Sequence, residues 1–568
     1  MKRHLVRAAV GVFSAALCVS LFLSACAAGK QEAKRAGNTS SGLNLSVCMI
    51  GRPESLDPLQ GNNAAGQTVL ASIYENLMKI VPDSSGKMTV VCGAAKSYQK
   101  KTNYDGTVTY TFHLRDSKWT DGKAVTAESF AYAWKRLADP VTKSPYAALL
   151  SNVVGYHAVQ SGGNLSQLKI SAENDSTLAV TLTGECPWFL RDVCTAAATM
   201  PLRKDILKKL KTEAKDAAGK EPKNSGEWWS APEKLITNGP YRIAAYTAGS
   251  GMMLKTNPGY TGTFSGPAVI RLTFADTAGK GWALYQAKKV DFVSALPEAQ
   301  LQALAKRKGW EPKTELTTGV LLFNTGKEPF SNSTVCKAFA RAVDRTVLSE
   351  KISAAALPAT GLVPYGVPGT GSESFRKAGG DLIDCNPADY QAECKAARSL
   401  LEKAGYGAGE FPDLKLVCTN ATRDAAEILT GMLSKALDVK ITVNCVSEKK
   451  AASAFEKGQY TLALTEISAL SNDAESFLTL WNSKNTSNVV GYRNSAYDTL
   501  LTVIGSASHT QARMGCLHDA ESLLLGDCPL TPLYFTGAAW KLRENLTGLS
   551  RDSRGWFAFD HVAKLSAG

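Results

Sequence analysis

The chain lacks the short motifs that mark several common classes of enzyme. It has no Gly-x-x-x-x-Gly-Lys-Ser/Thr loop, no His-Glu-x-x-His helix and no Gly-x-Ser-x-Gly turn, the signatures of phosphate-binding loops, zinc proteases and many hydrolases. It has only six histidines, and none lies at metal-ligand spacing from another. We therefore expect no enzyme activity, no cofactor and no bound metal. A glycosidase or protease whose carboxylates are distant in sequence leaves no such pattern and stays an alternative.

The chain is also poor in clustered charge. Lys and Arg number 64 against 51 Asp and Glu, a formal net charge of +13. The basic residues are scattered, whereas nucleic-acid-binding proteins concentrate them on one stripe or patch. We therefore expect no nucleic-acid partner, and we attribute the charge to solubility or to attraction toward anionic envelope polymers.

Long apolar runs are confined to the N-terminus. One run extends from about Ala8 to Ala25 and follows the basic residues Lys2, Arg3 and Arg7. A basic start, a short apolar stretch and small residues at its end are typical of a secretory signal peptide, here residues 1–25. Because no second run of this kind follows, we predict that the rest of the chain is not an integral membrane protein.

The leader ends in Leu-Ser-Ala-Cys, residues 23–26, which resembles the bacterial lipobox. That resemblance implies cleavage before Cys26 and attachment of lipid to its sulfur. Residues 26–42 then form the lipidated cysteine and a small, polar, flexible tether, whose last 16 residues reach roughly 50 Å when extended. We predict an extracytoplasmic protein that is lipid-anchored to the bacterial cell membrane.

Thirteen cysteines are present, but none forms a Cys-x-x-Cys motif, so zinc-ribbon and thioredoxin-like sites lack their spacing. Without the leader cysteine and the lipidated one, eleven remain. An exported protein can form disulfides. Cys418 and Cys445 lie on predicted neighbouring strands, and Cys385 and Cys394 are close in sequence, so either pair is a candidate. Alternatively, many of the cysteines are simply small buried apolar residues.

The hydrophobic pattern predicts an α/β fold. Strands are predicted over 413–420, 438–447 and 459–467, separated by helices over 421–437 and 448–458. Strands joined by helices of this length pair in parallel. Earlier in the chain, a helix is predicted over 64–80, because Val69, Ile73, Leu77 and Ile80 recur on one face.

Residues 109–147 contain the most specific sequence pattern. Its parts are Tyr110 to Arg115 (YTFHLR), Trp119 to Gly122 (WTDG), Ala127 to Ser129 (AES) and Ala138 to Pro140 (ADP). This order resembles the signature of the family-5 extracellular solute-binding proteins, the receptors of oligopeptide, dipeptide and nickel ABC importers. Further matches follow the family's order along nearly the whole mature chain, at 55–58, 73–77, 238–241, 257–260, 323–325, 342–345, 404–406 and 529–534.

The resemblance implies an α/β, two-lobed clamshell of the periplasmic-binding-protein type (type II, cluster C) with an additional domain. Lobe 1 is expected over 43–60, 186–274 and 532–568, the extra domain over 61–185 and lobe 2 over 275–531. The two hinge crossings are expected at Arg271 and Phe274, and at Leu533 and Tyr534.

The resemblance also directs attention to the loop after the strand at 459–467. In peptide-binding relatives an aspartate of this loop pairs with the ligand's α-ammonium group, but Leu470 stands at that position here. Glu466, Asp473 or Glu475 can substitute from a shifted loop; otherwise the ligand is not a free-amine peptide. The predicted ligand-binding residues are Asn324, Glu466, Ile467, Ser468, Leu470, Asn472 and Asp473.

The function implied is that of a membrane-tethered substrate-binding protein of an ABC importer, which captures oligopeptides between its lobes and delivers them to the permease subunits. Two alternatives remain at this point. The ligand can be a non-peptide solute such as an oligosaccharide or a metal chelate, or the protein can be a signalling lipoprotein that has kept the fold.

Overall fold

The computed structural model of the protein describes residues 41–60, 63–83, 87–210, 229, 231–371, 373–407, 409–506 and 510–565. The predicted leader, Cys26 and nearly all of the tether lie outside these residues. Within the described residues, no helix has both the length and the apolar character required to span a membrane.

The strands occur along the chain as β1 (Asn44–Ile50), β2 (Met78–Pro82), β3 (Met88–Cys92), β4 (Ala95–Thr102), β5 (Val108–Leu114), β6 (Ile170–Asn174), β7 (Thr177–Leu182), β8 (Tyr241–Thr247), β9 (Gly251–Thr256), β10 (Val269–Ala275), β11 (Phe292–Val293), β12 (Lys313–Phe323), β13 (Leu357–Pro358), β14 (Leu414–Cys418), β15 (Ile441–Cys445), β16 (Leu462–Ser468), β17 (Leu530–Ala538), β18 (Lys541–Leu542), β19 (Leu546–Thr547), β20 (Ser550–Arg551), β21 (Phe557–Ala558) and β22 (Ala563–Lys564).

The α-helices are α1 (Ala64–Ile73), α2 (Ala127–Ala138), α3 (Tyr156–Gln160), α4 (Ala278–Gln286), α5 (Glu298–Ala305), α6 (Ser333–Arg341), α7 (Arg345–Ile352), α8 (Phe375–Gly379), α9 (Tyr390–Lys403), α10 (Arg423–Leu437), α11 (Glu448–Glu456), α12 (Glu475–Leu478), α13 (Ser495–Ser506) and α14 (Thr510–Asp527).

Lobe 1 is built on a six-stranded sheet in the order β18-β11-β1-β10-β9-β8. The first strand, β1, is parallel to both β10 and β11. Val47 and Met49 of β1 lie in the large hydrophobic core, and Cys48 lies in a smaller core on the other face. Burial of both faces is typical of a parallel strand at the centre of an α/β sheet.

Lobe 2 is built on a second six-stranded sheet, in the order β13-β17-β12-β16-β14-β15. The strands β14, β15 and β16 are parallel, with α10 and α11 between them. This confirms the alternating strands and helices predicted over 413–467, and the α/β, two-lobed fold.

The extra domain consists of the antiparallel sheet β4-β5-β7-β6, the hairpin of β2 and β3, and α2. Phe112 of β5 and Trp134 of α2 are fully buried, and they belong to the same hydrophobic core as Val47 and Leu254 of lobe 1. The extra domain therefore shares a continuous core with lobe 1.

The passages between the two sheets lie elsewhere than expected. Arg271 and Phe274 are inside β10, and the chain then adds β11 to the lobe-1 sheet before it enters β12 of lobe 2. Leu533 and Tyr534 are inside β17 of lobe 2, and the chain returns to lobe 1 only at β18. The passages are therefore residues 294–312 and 539–540. The physical reason is that backbone pairing continues on both sheets beyond the predicted crossing points.

The predicted helix over 64–80 is wrong in its second half. The helix α1 ends at Ile73, and Met78 already belongs to β2. The side chain of Asn238 bonds both the amide nitrogen and the carbonyl oxygen of Glu75, at 3.0 and 2.9 Å. These contacts from a distant part of the chain take the backbone groups that a longer helix requires.

Candidate functional site

Glu466 and Ser468 lie at the carboxyl end of β16, at the same edge of the lobe-2 sheet at which β14 and β15 end. Both residues are exposed, whereas Ile467 between them is buried in the core of lobe 2. Ligands of open α/β sheets bind at this edge, outside the carboxyl ends of the strands. The position therefore suits a ligand site, with Ile467 as its support.

Glu466 is held by Tyr534, two strands away. Gly319 of β12 lies between them, paired with Glu466 on one side and with Tyr534 on the other. A Cβ atom at Gly319 would lie 2.3 Å from the Tyr534 ring, so the ring lies across this position only because the residue is glycine. The Tyr534 hydroxyl then donates a hydrogen bond to Oε1 of Glu466 at 3.0 Å.

Among the described residues, no basic side chain compensates the charge on Glu466. Although its side chain is reached by solvent, protein surrounds it closely enough that burial raises the pKa of its carboxyl. The hydrogen bond from Tyr534 opposes this shift, while the negative charges of Glu315 and Glu448 reinforce it. The ionised form is thus short of positive charge, and a cationic group of a ligand would stabilise it.

The two other acidic candidates are already paired. Arg513 of α14 bonds Asp473 at 2.8 Å and Glu475 at 2.6 Å, and its side chain is only 4% exposed. Although burial lowers it, these two carboxylates together raise the pKa of Arg513 above its usual value. The charges of Asp473 and Glu475 are therefore already neutralised by Arg513, and neither carboxylate needs a cationic group of a ligand.

The loop between β16 and α12 contacts lobe 1. The half-buried side chain of Leu470 packs against the lobe-1 core. The guanidinium of Arg191 donates to the backbone oxygen of Asn472, and the indole of Trp188 donates to Glu475 at 3.2 Å. The loop thus connects the two lobes.

Asn324 lies apart from the other predicted residues. It follows Phe323, which pairs with Leu462 at one end of the β12–β16 ladder, whereas Ser468 pairs at the other end. Its amide group donates to the backbone oxygens of Gly458 and Tyr460, at 3.1 and 2.8 Å. These contacts give Asn324 a structural role at the far end of the sheet.

The lobe-1 side of the site was not predicted from the sequence. Trp188 and Arg191 contact a loop some 280 residues further along the chain; Arg191 and Asn472 are 281 positions apart. Arg551, which forms an ion pair with Glu315 of β12, likewise has a partner on the other lobe. No local pattern indicates such pairs, although the run RDSRGW at 551–556 combines residue types that are frequent at interfaces.

Comparison with known proteins places this geometry in a family. A model described as bacterial extracellular solute-binding proteins, family 5 (middle part), matches residues 89–489. The dipeptide-binding protein of Bacillus subtilis is 26% identical over 558 residues, which cover 95% of this chain and 96% of that protein. A probable deoxycholate-binding periplasmic protein of Escherichia coli is 27% identical over 493 residues, or 85% and 86% of the two chains.

The fold is shared with solved structures as well. The crystal structure of Haemophilus influenzae OppA in complex with the peptide RPPGFSPFR superimposes with a TM-score of 0.72 at 23% identity, covering 92% of this chain and 99% of that one. The family model alone covers more than half of the sequence. The chain belongs to family 5 of the bacterial extracellular solute-binding proteins.

Proposed function

We propose that the protein binds oligopeptides outside the cytoplasm and delivers them to the permease subunits of an ABC importer. Support comes from the family, from relatives named for dipeptide and oligopeptide binding, and from the fold shared with a peptide complex. The role requires binding and release, without any change in the ligand's covalent bonds.

The observation that carries the proposal is the uncompensated carboxylate of Glu466 at the ligand edge of lobe 2. A peptide's α-ammonium group can form a charge-assisted hydrogen bond with it, about twice as strong as a neutral one. Unlike Asp473 and Glu475, Glu466 has no basic partner among the residues that the structure describes. In this proposal Glu466 does the work that an aspartate at position 470 does in relatives.

Closure of the lobes completes the site. The contacts of Arg191 with Asn472 and of Trp188 with Glu475 join the lobes, and the two passages at 294–312 and 539–540 are the segments that can act as hinges. Closure about such segments encloses a ligand between rigid lobes. In the proposed cycle, peptide binding favours the closed form, which the permease then recognises.

Anchoring follows from the leader. Lipid on the sulfur of Cys26 would hold the protein at the membrane surface, and the segment 27–42 would let it move within roughly 50 Å of its anchor. The tether keeps the receptor near its permease and raises its local concentration there.

A second candidate ligand is an amphipathic organic acid without an amine. Leu470 makes the position of the relatives' aspartate apolar, and one relative is named as a probable deoxycholate-binding protein. A ligand of this kind would rest its apolar body near Leu470 and would have no need of Glu466.

Native mass spectrometry of residues 27–568, purified without denaturation, separates these candidates. This segment contains every residue that the structure describes. We expect a series of adducts whose masses resolve to short peptides captured from the expression host. An adduct with the mass of a single organic acid would favour the second candidate, and a bare protein that also fails to bind added peptides would contradict the proposal.

A further inference from the structure

Cys418 and Cys445 face each other at the end of the lobe-2 sheet. They are the last residues of β14 and β15 and direct partners in the parallel register. Neighbouring strands lie about 4.8 Å apart, and disulfides join Cα atoms that are about 4.4–6.8 Å apart. Both cysteines are free thiols. The backbone therefore presents these two sulfurs to each other.

The other candidate pair is not arranged in this way. The thiol of Cys385 points to the backbone oxygens of Ala359 and Ile383, at 3.6 and 3.7 Å. Cys394 is a buried residue of α9, and no hydrogen bond between it and Cys385 is found. Of the two pairs that the sequence offers, only Cys418 and Cys445 are placed as partners.

The two facing thiols differ in access. Cys445 is partly exposed and donates a hydrogen bond to Oδ1 of Asn420 at 3.2 Å, whereas Cys418 is fully buried. Burial, reinforced by the neighbouring Cys445, raises the pKa of Cys418 to about 11. A reagent from solution thus meets Cys445 first, and Cys418 can react only in a second, internal step.

We propose that Cys418 and Cys445 form a reversible disulfide that fastens β15 to β14. Among the strands that the structure describes, β15 is the outermost one of its sheet and pairs with β14 alone. The disulfide would therefore stabilise the edge strand of the lobe-2 sheet. The proposal is independent of which solute the cleft binds.

The oxidant is a small-molecule disulfide, such as oxidised glutathione. The thiolate of Cys445 attacks one of its sulfurs, which forms a mixed disulfide and releases one thiol. The thiolate of Cys418 then attacks the sulfur of Cys445, closes the protein disulfide and releases the second thiol. Two protein thiols lose two electrons and two protons, and the small disulfide gains them.

Access to Cys445 makes the bond open to reduction. Its sulfur is partly exposed, and exposed disulfides are more readily reduced than buried structural ones. We therefore expect ordinary dithiol reductants to open it in the folded protein.

The test is peptide mapping of residues 27–568 after treatment with oxidised glutathione and alkylation of the remaining thiols under denaturing conditions. We expect one linked peptide pair containing Cys418 and Cys445, lighter than the sum of the two peptides by two hydrogen atoms. Dithiothreitol added before denaturation should remove it. The oxidised protein should also melt a few degrees higher than the reduced protein.

Variants make the assignment specific. Cys418→Ser should retain a glutathione adduct on Cys445, because the resolving thiol is missing, and Cys445→Ser should give neither adduct nor link. Cys516→Ser, which removes another partly exposed thiol, should leave the link intact. The proposal fails if Cys418 and Cys445 of the oxidised wild-type protein are both alkylated, or if Cys445 is linked to a different cysteine.

Discussion

Three acidic residues lie within a ten-residue segment at the edge of lobe 2, and their charges are compensated to different extents. Asp473 and Glu475 share the buried guanidinium of Arg513. Within the described part of the chain, Glu466 accepts one side-chain hydrogen bond, from the hydroxyl of Tyr534, and lies near two further carboxylates. The comparison shows that an acidic residue in a cleft points to a cationic ligand only when the protein leaves its charge uncompensated.

The largest effect is expected from removing the cation that compensates Asp473 and Glu475. Arg513→Met removes the cation and leaves Asp473 and Glu475, whose side chains are 11% and 18% exposed, without a partner. Breaking a buried pair in this way costs about 3–5 kcal/mol. We expect this decrease in the free energy of unfolding, measured by urea denaturation.

The control for that variant is Lys440→Met. It breaks the pair of Lys440 with Asp413, whose side chains are 73% and 68% exposed, and exposed ion pairs contribute little to stability because water and salt screen them. If both variants lose the same free energy of unfolding, burial does not make the Arg513 ion pairs more important than the exposed pair of Lys440.

A smaller effect is expected where the relatives' aspartate is restored. Leu470→Asp places a charge against the lobe-1 core, where Leu470 makes apolar contacts. Because an unpaired charge in such surroundings is costly, we expect closure to weaken and peptide affinity to fall roughly tenfold to a hundredfold. Leu470→Met, which keeps volume and polarity, should change little. A gain in peptide affinity for Leu470→Asp would indicate that the ligand's ammonium group binds at position 470 and not at Glu466.

The mildest perturbation is a change of pH, which acts on Glu466 without any mutation. Its pKa is raised above the usual 4.5 by burial and by its acidic neighbours. As pH falls through this raised pKa, the carboxyl is protonated and loses the charge that attracts an ammonium group. We expect peptide affinity to fall roughly tenfold per unit below that pH, and to be constant from there up to about pH 7, above which the peptide's own amine loses its proton.

Calorimetric titrations across this pH range provide the measurement. The decline should begin at a higher pH than an ordinary glutamate would give. An N-acetylated peptide of the same sequence should show no such decline, and the same decline for both peptides would indicate that a different group titrates.

Much of lobe 2 was predictable because its information is local. The strands β14, β15 and β16 each carry a short apolar run between amphipathic helices, and such runs pair in parallel whatever the rest of the chain does. By contrast, α1 stops at Ile73 because Asn238, far along the chain, bonds Glu75. Tertiary contacts of this kind override local periodicity.

Only part of the lobe-2 side of the candidate site was predictable from the sequence. The strand end at Glu466 and the change to Leu470 are visible in the sequence beside the family pattern. The pairing of Arg513 with Asp473 and Glu475 is not, because α14 reaches that loop only in the folded protein. Deciding between Glu466 and Asp473 therefore required the structure.

The most direct test of the account is calorimetric titration of one oligopeptide and its N-acetylated form into the wild-type protein, Glu466→Gln and the matched control Glu448→Gln. Losing one partner of an enclosed, charge-assisted pair costs about 2–5 kcal/mol. We expect Glu466→Gln to bind the free-amine peptide roughly a hundredfold more weakly, with little change for the N-acetylated peptide and little effect of Glu448→Gln. Unchanged affinity of Glu466→Gln for the free-amine peptide would contradict the account.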